Sequence, residues 1–405
     1  MRIMRILTFT TLYPNQIQQN HGLFVEQRLS SFLNYQANYL AKVIAPVPWF
    51  PWRSSRFGQY SKYAAIPPHE TRKGIDIVHP RFFHIPRMSM SISPFLLAMS
   101  SMRAIRRLLA SGWKFDVIDA HYFYPDGVAA ALLARHFKKP LVITARGSDV
   151  NVFPAYRIPR RMIQWAARES AAIIAVSESL RQSLVDLGVS ANAVTNIGNG
   201  VNLDLFKPLD KNEARANLRI PDNSRLIISV GNLVELKGHE LLIRAMREIP
   251  ADVVLTILGE GPLKSEYRKL IADLGMMDRV SLAGSVPQEL LPQYYSAADA
   301  LVHASSNEGI ANVWLEALAC GTGVVTSAVG GAPEIISNDF VGHLIPERTP
   351  AAIAEAVTAY LAKTVSKKEI RNYARRFSWE MSSAQQADVF ERVTAISPES
   401  MLNQI

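Results

Sequence analysis

Cysteine is almost missing. A single residue, Cys320, stands in 405, so no disulfide can close within the chain, and the sequence suits a reducing compartment. Long apolar runs are missing as well. None approaches the roughly 20 residues that cross a bilayer, and the apolar stretch in MRIMRILTFTTLYP is too short for a secretory signal. The expectation is a cytosolic protein, free or resting on the inner face of the cytoplasmic membrane. Glycine is missing where a dinucleotide-binding dehydrogenase needs it: the turn after the first apolar run reads TLYPNQ, without G-x-G-x-x-G. No internal repeat, low-complexity tract or cluster with metal-ligand spacing stands out, so no metal is expected.

The length exceeds what one core serves, and two domains of about 150–200 residues are the natural expectation. Net charge is +9 and unevenly spread. Residues 1–200 carry 24 Lys and Arg against 10 Asp and Glu, whereas 201–405 carry 20 against 25. A basic half can attract anionic lipid headgroups, nucleic acid or a phosphorylated substrate, or be an ordinary solvated surface. No nucleic-acid module accompanies the charge, and the second half is acidic, which argues against a nucleic-acid partner. The stretch SPFLLAMSSMRAIRRLLASGW (93–113) joins Phe95, Leu96, Leu108 and Leu109 to Arg103, Arg106 and Arg107, and Arg157, Arg160 and Arg161 precede Trp165. Both suit contact with an anionic membrane surface.

Along the first half, apolar runs at 2–9, 39–46, 115–121, 140–146 and 171–177 alternate with helical periodicity at 22–36, 126–137 and 159–169. Residues 47–75 show no clear period and read as a long irregular loop. The pattern breaks at NIGNGVNLDLFKP (196–208) and restarts with runs at 225–231, 252–259, 279–284, 299–305 and 323–329. Continuous apolar runs suit parallel strands covered on both faces. Two such sets imply an α/β protein of two doubly wound Rossmann-like domains facing a cleft, with ligands beyond the carboxyl ends of the strands. The residues closing these runs are His121, Arg146, Ser177, Gly231, Gly259, Gly284 and Ser305. The expected division is 1–198, a linker 199–208, 209–378, and a helical tail 379–405 that crosses back to the first domain.

The segment SSNEGIANVWLEALACG (305–321) holds two acids, Glu308 and Glu316, around an apolar run. It reads as a loop and a helix with Asn312 as N-cap and Gly321 as stop. A helix N-terminus suits a phosphate, and a carboxylate one turn in can accept bonds from two vicinal ribose hydroxyls. Alternatively, both acids simply favour the helix dipole.

Here the chain resembles the retaining glycosyltransferases of family 4, which have the GT-B fold. The resemblance runs through EGIANVWLEALACGTGVVTSAVGGAPEII (308–336), VGNLVELKGHELLIRAM (230–246), LGEGP (258–262), VPQELLPQYYSAADALVHAS (286–305), NGVNLDLFKP (199–208) and TLYPNQIQQNHGLFVEQRLSSF near the start. TARGSDVN (144–151) resembles a loop of the subgroup that makes bacterial exopolysaccharides and cell-wall polymers. The resemblance implies that the first domain binds acceptor and the second a UDP- or GDP-linked sugar donor, without a cofactor. Glu308 would contact the donor sugar and Glu316 the ribose, with the backbone of Gly309, Ile310, Ala311 and Asn312 along the sugar and diphosphate. Lys237 would face the diphosphate. Asn232 stands where the family has arginine, and Arg146 can supply the absent charge. His121 matches a histidine that contacts the donor hexose, Gly22 lets backbone approach the site, and Gly284 and Val286 sit where relatives pack the base. The implied reaction is metal-independent, retaining hexosyl transfer to a glycan or lipid-diphosphate-linked acceptor. A GT-B sugar-nucleotide epimerase is the alternative.

Overall fold

The computed structural model describes residues 3–54, 56, 58–84, 90–221 and 224–395. The last ten residues of the expected tail lie outside them. The chain forms two compact units, Met1–Gly198 with Ser382–Ile405, and Asn199–Met381.

The strands of the first unit are β1 (Met4–Phe9), β2 (Tyr39–Ile44), β3 (Val47–Pro48), β4 (His69–Arg72), β5 (Ile75–Val78), β6 (Arg81–Phe82), β7 (Val117–His121), β8 (Leu141–Ala145), β9 (Ala172–Ala175) and β10 (Val194–Asn196). Eight of them form one sheet in the order β10-β9-β8-β7-β1-β2-β5-β4, and β3 and β6 pair separately. All neighbours in the large sheet are parallel except β4 and β5. Alternate residues along each central strand enter different cores. Leu7, Phe9, Ile118, Ala120, Ile143 and Ile173 join one, and Ile6, Val117, Val142 and Ile174 join another. A strand buried on both faces has no polar side to show, which is why these segments read as unbroken apolar runs.

The segment 47–75 is not a structureless loop. It contains β3, the helix Gln59–Ala65 and β4, and ends at the start of β5. The antiparallel β4–β5 hairpin turns at Lys73 and Gly74, both with positive φ (48° and 75°). A two-residue hairpin needs this backbone twist, and the Lys-Gly pair is a weak signal for it beside the preferred Asn-Gly.

The second unit contains β11 (Arg225–Val230), β12 (Val253–Leu258), β13 (Val280–Gly284), β14 (Ala300–His303), β15 (Val324–Ser327) and β16 (Gly342–Ile345). Its sheet runs β13-β12-β11-β14-β15-β16, wholly parallel. Counted within the unit this is 3-2-1-4-5-6, the order of doubly wound nucleotide-binding sheets. Leu226, Ile228, Leu301 and Val324 enter the core on one face, while Ile227, Ala300, Val302 and Val325 enter the other. The short strand β16, with only four residues, carried no clear run and was not expected.

Three arrangements, two of side chains and one of backbone, fix the first unit. Arg28, fully buried on the helix Leu23–Tyr35, donates to Gln386 Oε1 (2.8 Å), Ile197 O (3.2 Å) and Gly198 O (3.3 Å). Ala387, Val389, Phe390 and Val393 of the helix Trp379–Ala395 pack with Met4, Ile6 and Phe32. Gly22 caps the helix Leu23–Tyr35 at φ 68°, and a Cβ there would lie 2.3 Å from the Leu12 carbonyl.

Only glycine fits that close approach and left-handed backbone. Gly22→Ala is therefore expected to lower stability by about 1–2 kcal/mol from the backbone conformation alone, with more if Leu12 must move. Urea unfolding should show a lower midpoint at unchanged slope.

Candidate functional site

In the second unit, chain order reverses direction between β11 and β14, which lie side by side. In doubly wound sheets the region beyond the carboxyl ends of the strands at such a reversal is the usual ligand position. The loop after β11 runs from Gly231 through the turn Glu235–Lys237, and the loop after β14 runs from Ala304 to the helix Asn312–Ala319. Ser306 N donates to Leu236 O (2.8 Å) and joins the two. Across them Lys237 Nζ meets Glu308 Oε1 at 2.6 Å, with the side chains 20% and 11% exposed. A third loop braces Glu308: Gly331 N donates to Gly309 O (2.7 Å), and a Cβ on Gly330 would lie 1.8 Å from Glu308 O. Gly330 has φ 55°, so this approach also requires glycine.

The helix after Glu308 begins one residue earlier in role than its sequence suggests. Ala311 is the N-cap and has no capping side chain, while Asn312 is the first helical residue. Asn312 Oδ1 accepts instead from Asn199 Nδ2 (3.0 Å). The tertiary partner outcompetes the local cap, since a side-chain oxygen serves one purpose at a time. The backbone N–H groups of Gly309, Ile310, Ala311 and Asn312 donate to no other described residue. Together with the helix end they form a patch of positive potential. The expected stop holds: Ala319 is the last helical residue, and Gly321 follows at φ 76°.

Glu316 projects from the second turn of this helix. It is 7% exposed, and Tyr295 OH donates to its Oε2 (2.9 Å). Burial pushes its carboxyl up to about 7, against the hydrogen bonds of Tyr295 and Gln288. Beside it, Trp314, Leu315, Leu318 and Ala319 are fully buried and Val313 is half-buried. Asn232 is exposed, Val286 half-buried, and Gly284 closes β13 at φ 79°.

The first unit has its own reversal, between β1 and β7. His121 ends β7 and is buried. Arg146, just after β8, directs Nη2 to His121 Nδ1 (2.8 Å), and His121 Nε2 meets Asp119 Oδ2 (3.0 Å). A guanidinium only donates, so Nδ1 accepts and the ring hydrogen lies on Nε2, directed at Asp119. Burial lowers His121 below the usual histidine range, which keeps this neutral tautomer. Both ring nitrogens are thus engaged inside the unit. Arg146 also lies over the Phe24 ring at 5.1 Å, and its backbone N–H, not its guanidinium, donates to Asp149 (3.1 Å).

Two buried carboxylates hold neighbouring loops. Asp126 accepts from Thr11 N (2.8 Å) and Thr11 Oγ1 (2.9 Å), and Asp149 from Phe123 N and Gly147 N (both 2.6 Å). Burial raises both carboxyls, Asp126 to about 7. The sequence did not single out Asp119 or Tyr295. Asp119 carried a signal: a carboxylate inside a fully apolar strand, two residues before His121 and hence on the same face. Tyr295 carried none, because its hydroxyl meets Glu316 only through packing of two helices.

Known proteins resemble this chain over most of its length. Residues 67–205 match the model of Glycosyltransferase Family 4, and residues 210–377 match Glycosyl transferases group 1. The chain is 30% identical over 375 residues to TuaC of Bacillus subtilis (strain 168), a glycosyltransferase assigned provisionally to teichuronic acid biosynthesis, covering 91% of this chain and 92% of TuaC. It is 31% identical over 313 residues to the D-inositol 3-phosphate glycosyltransferase of Xylanimonas cellulosilytica, covering 71% and 74%. Among solved structures, sucrose-phosphate synthase of Thermosynechococcus elongatus superposes with a TM-score of 0.79 at 22% identity, over 98% of this chain and all of that one. HepE of Anabaena, solved in complex with UDP-glucose, superposes at 0.69 with 19% identity, over 96% and 100%. The chain belongs to glycosyltransferase family 4 and has the GT-B fold.

Proposed function

We propose that this glycosyltransferase moves a hexose, with retention of anomeric configuration, from a nucleotide-diphosphate sugar to a glycan or lipid-linked acceptor in bacterial polysaccharide synthesis. The observation that carries the reading is the Lys237–Glu308 pair at the reversal point of the second sheet, next to unengaged backbone N–H groups and the buried Glu316. The TuaC relation favours a polymer pathway, and the UDP-glucose complex of HepE favours a uridine donor, with GDP as the alternative.

In this reading the diphosphate lies at the start of the helix Asn312–Ala319 against the N–H groups of Gly309 to Asn312. Lys237 neutralises charge as the nucleotide departs. Glu308 accepts hydrogen bonds from the sugar hydroxyls, and Glu316 accepts both from the ribose. Gly284 and Val286 contact the base. Because Glu308 is used on hydroxyls, no carboxylate is assigned as nucleophile, and the double displacement of retaining glycosidases is set aside. The substitution is front-face: the bond from the anomeric carbon to the phosphate oxygen breaks as the acceptor oxygen bonds on the same side. The departing phosphate oxygen takes the acceptor proton. The protein supplies position and charge.

Asn232 leaves the loop after β11 with one cation fewer than is usual in the family, and the reading assigns the second charge to Arg146. His121 then acts on Arg146 through Nδ1, with Asp119 fixing the tautomer. Exposed Phe95, Met99, Tyr156 and Ile158 lie near Arg103, Arg157 and Arg160 in sequence and form the proposed membrane-contact surface. Leu96, Leu108, Leu109 and Trp165 pack against the core instead. Among the described residues no helix is long and apolar enough to cross a membrane.

Assay with UDP- and GDP-hexoses tests the chemistry. Product NMR should show the donor's anomeric configuration retained, and turnover should be unchanged in EDTA. An inverted product or loss in EDTA would refute that part of the mechanism.

Glu316 makes the reaction pH-dependent in a stated direction. Only the carboxylate accepts two ribose hydroxyls, and its pKa in the free enzyme is about 7. The kcat/KM for donor should therefore fall as pH drops through about 7, approaching tenfold per pH unit below it. Glu316→Gln should lower kcat/KM by about tenfold or more, as loss of a charged hydrogen bond implies, and flatten that limb. For the membrane surface, flotation with vesicles should require anionic lipid and weaken in the Arg157→Glu/Arg160→Glu double variant.

A further inference from the structure

The first unit holds a cavity of about 230 Å³ at the carboxyl ends of β1, β2 and β5. We infer that this cavity takes the ring of an uncharged sugar, the terminal pyranose of the acceptor. The inference rests on the glycosyltransferase reading above and names the substrate class of its acceptor side.

The walls are set by structure that the sequence read as a loop. The paired strands β3 and β6 contribute Pro48 and Phe82, and the helix Gln59–Ala65 contributes Tyr63. Arg81 donates to the Tyr63 and Ile66 carbonyls at the end of that helix and so holds the wall in place. The volume lies below the roughly 300–1,000 Å³ of pockets for drug-sized ligands and matches one ring better than an oligosaccharide.

Nine of the seventeen lining residues have polar side chains, and Asn15, His21 and His79 define the hydrogen-bonding at the floor. Asn15, only 2% exposed, uses Oδ1 to accept from Ile17 N (3.1 Å) and Gln18 N (2.9 Å), and its amide hydrogens bond no other described residue. His21 Nε2 meets the Thr11 carbonyl at 3.0 Å. A carbonyl only accepts, so Nε2 carries the hydrogen and Nδ1 of the neutral ring is an acceptor. His79 is closed off: Nδ1 meets Ala45 O (2.9 Å), and Nε2 meets buried Glu70 (2.7 Å). The Asn15 amide as donor and His21 Nδ1 as acceptor, among further polar side chains and between aromatic and proline walls, fit a pyranose, whose hydroxyls both donate and accept and whose C–H face is apolar.

Charge decides between acceptor classes. Among the described lining residues there is no Lys, Arg, Asp or Glu. A phosphate or uronate carboxylate here would lose water and meet no lysine or arginine among the described residues, with His79 already engaged by Glu70, which is unfavourable.

Saturation-transfer difference NMR on the full-length protein tests the inference, using methyl glucoside, galactoside, mannoside and N-acetylglucosaminide against hexose 1-phosphates, methyl glucuronide and D-myo-inositol 3-phosphate. At least one neutral pyranoside should give ring-proton transfer that persists under saturating UDP. The charged probes should give tenfold less or none. Tyr63→Ala removes a wall. Asn15→Asp keeps the oxygen that holds Ile17 and Gln18 but removes the amide donors; each should reduce the signal at least tenfold. Retained UDP-induced thermal shift in both variants shows that they fold. Transfer stronger to a charged probe, displaced by UDP, absent for every neutral pyranoside, or undiminished in both variants overturns the assignment. Failure of wild-type protein to bind UDP or GDP sugars would instead overturn the donor reading, which the pyranoside signal does not address.

Discussion

The ion pair between Lys237 and Glu308 depends on one topological fact: β11 and β14, separated by some seventy residues, are neighbours. Parallel strands must be joined by crossovers, and where the order reverses, the two crossovers leave on opposite faces. The gap is filled by whatever the two loops bring. Here they bring a cation, an anion and unengaged backbone N–H groups, because glycines at 330 and 331 draw a third loop against Glu308. The same reversal in the first unit, between β1 and β7, gathers His121, Asp126 and the loop through Gly22.

Burial sets the chemistry of what lies around these points. Glu316 is held by Tyr295 and Gln288 inside a helix-packed wall, so its carboxyl titrates near neutrality rather than in the acid range. His121 is kept neutral and in one tautomer by an arginine on one side and a carboxylate on the other. These are small arrangements with large effects: a buried polar group is costly unless paired, and its partner determines which proton it holds.

The cavity at the carboxyl ends of β1, β2 and β5 depends on a different kind of packing. Short elements, each too small to be stable alone, contribute to its walls: two-residue strands and a seven-residue helix. Arg81 bonds across them, and the His79–Glu70 pair lies beneath. Such walls can vary without disturbing the central sheet.

The sequence by itself determined the two α/β units, the central strands to within one or two residues, the placement of His121 and Arg146 at strand ends and of Lys237 and Glu308 in the loops that follow strands, and that of Glu316 within the next helix. Doubly buried strands and loop-to-helix turns leave local traces, in apolar runs and in glycine and acid spacing. The tertiary structure decided the rest. It replaced the expected Asn312 cap with an Asn199–Asn312 bond, put Tyr295 on Glu316 and Asp119 on His121, and turned residues 47–75 into a cavity wall. Each of these depends on a partner distant in the chain or on a short element with no period of its own. No local pattern records such a contact, because its energy exists only after the sheets have formed.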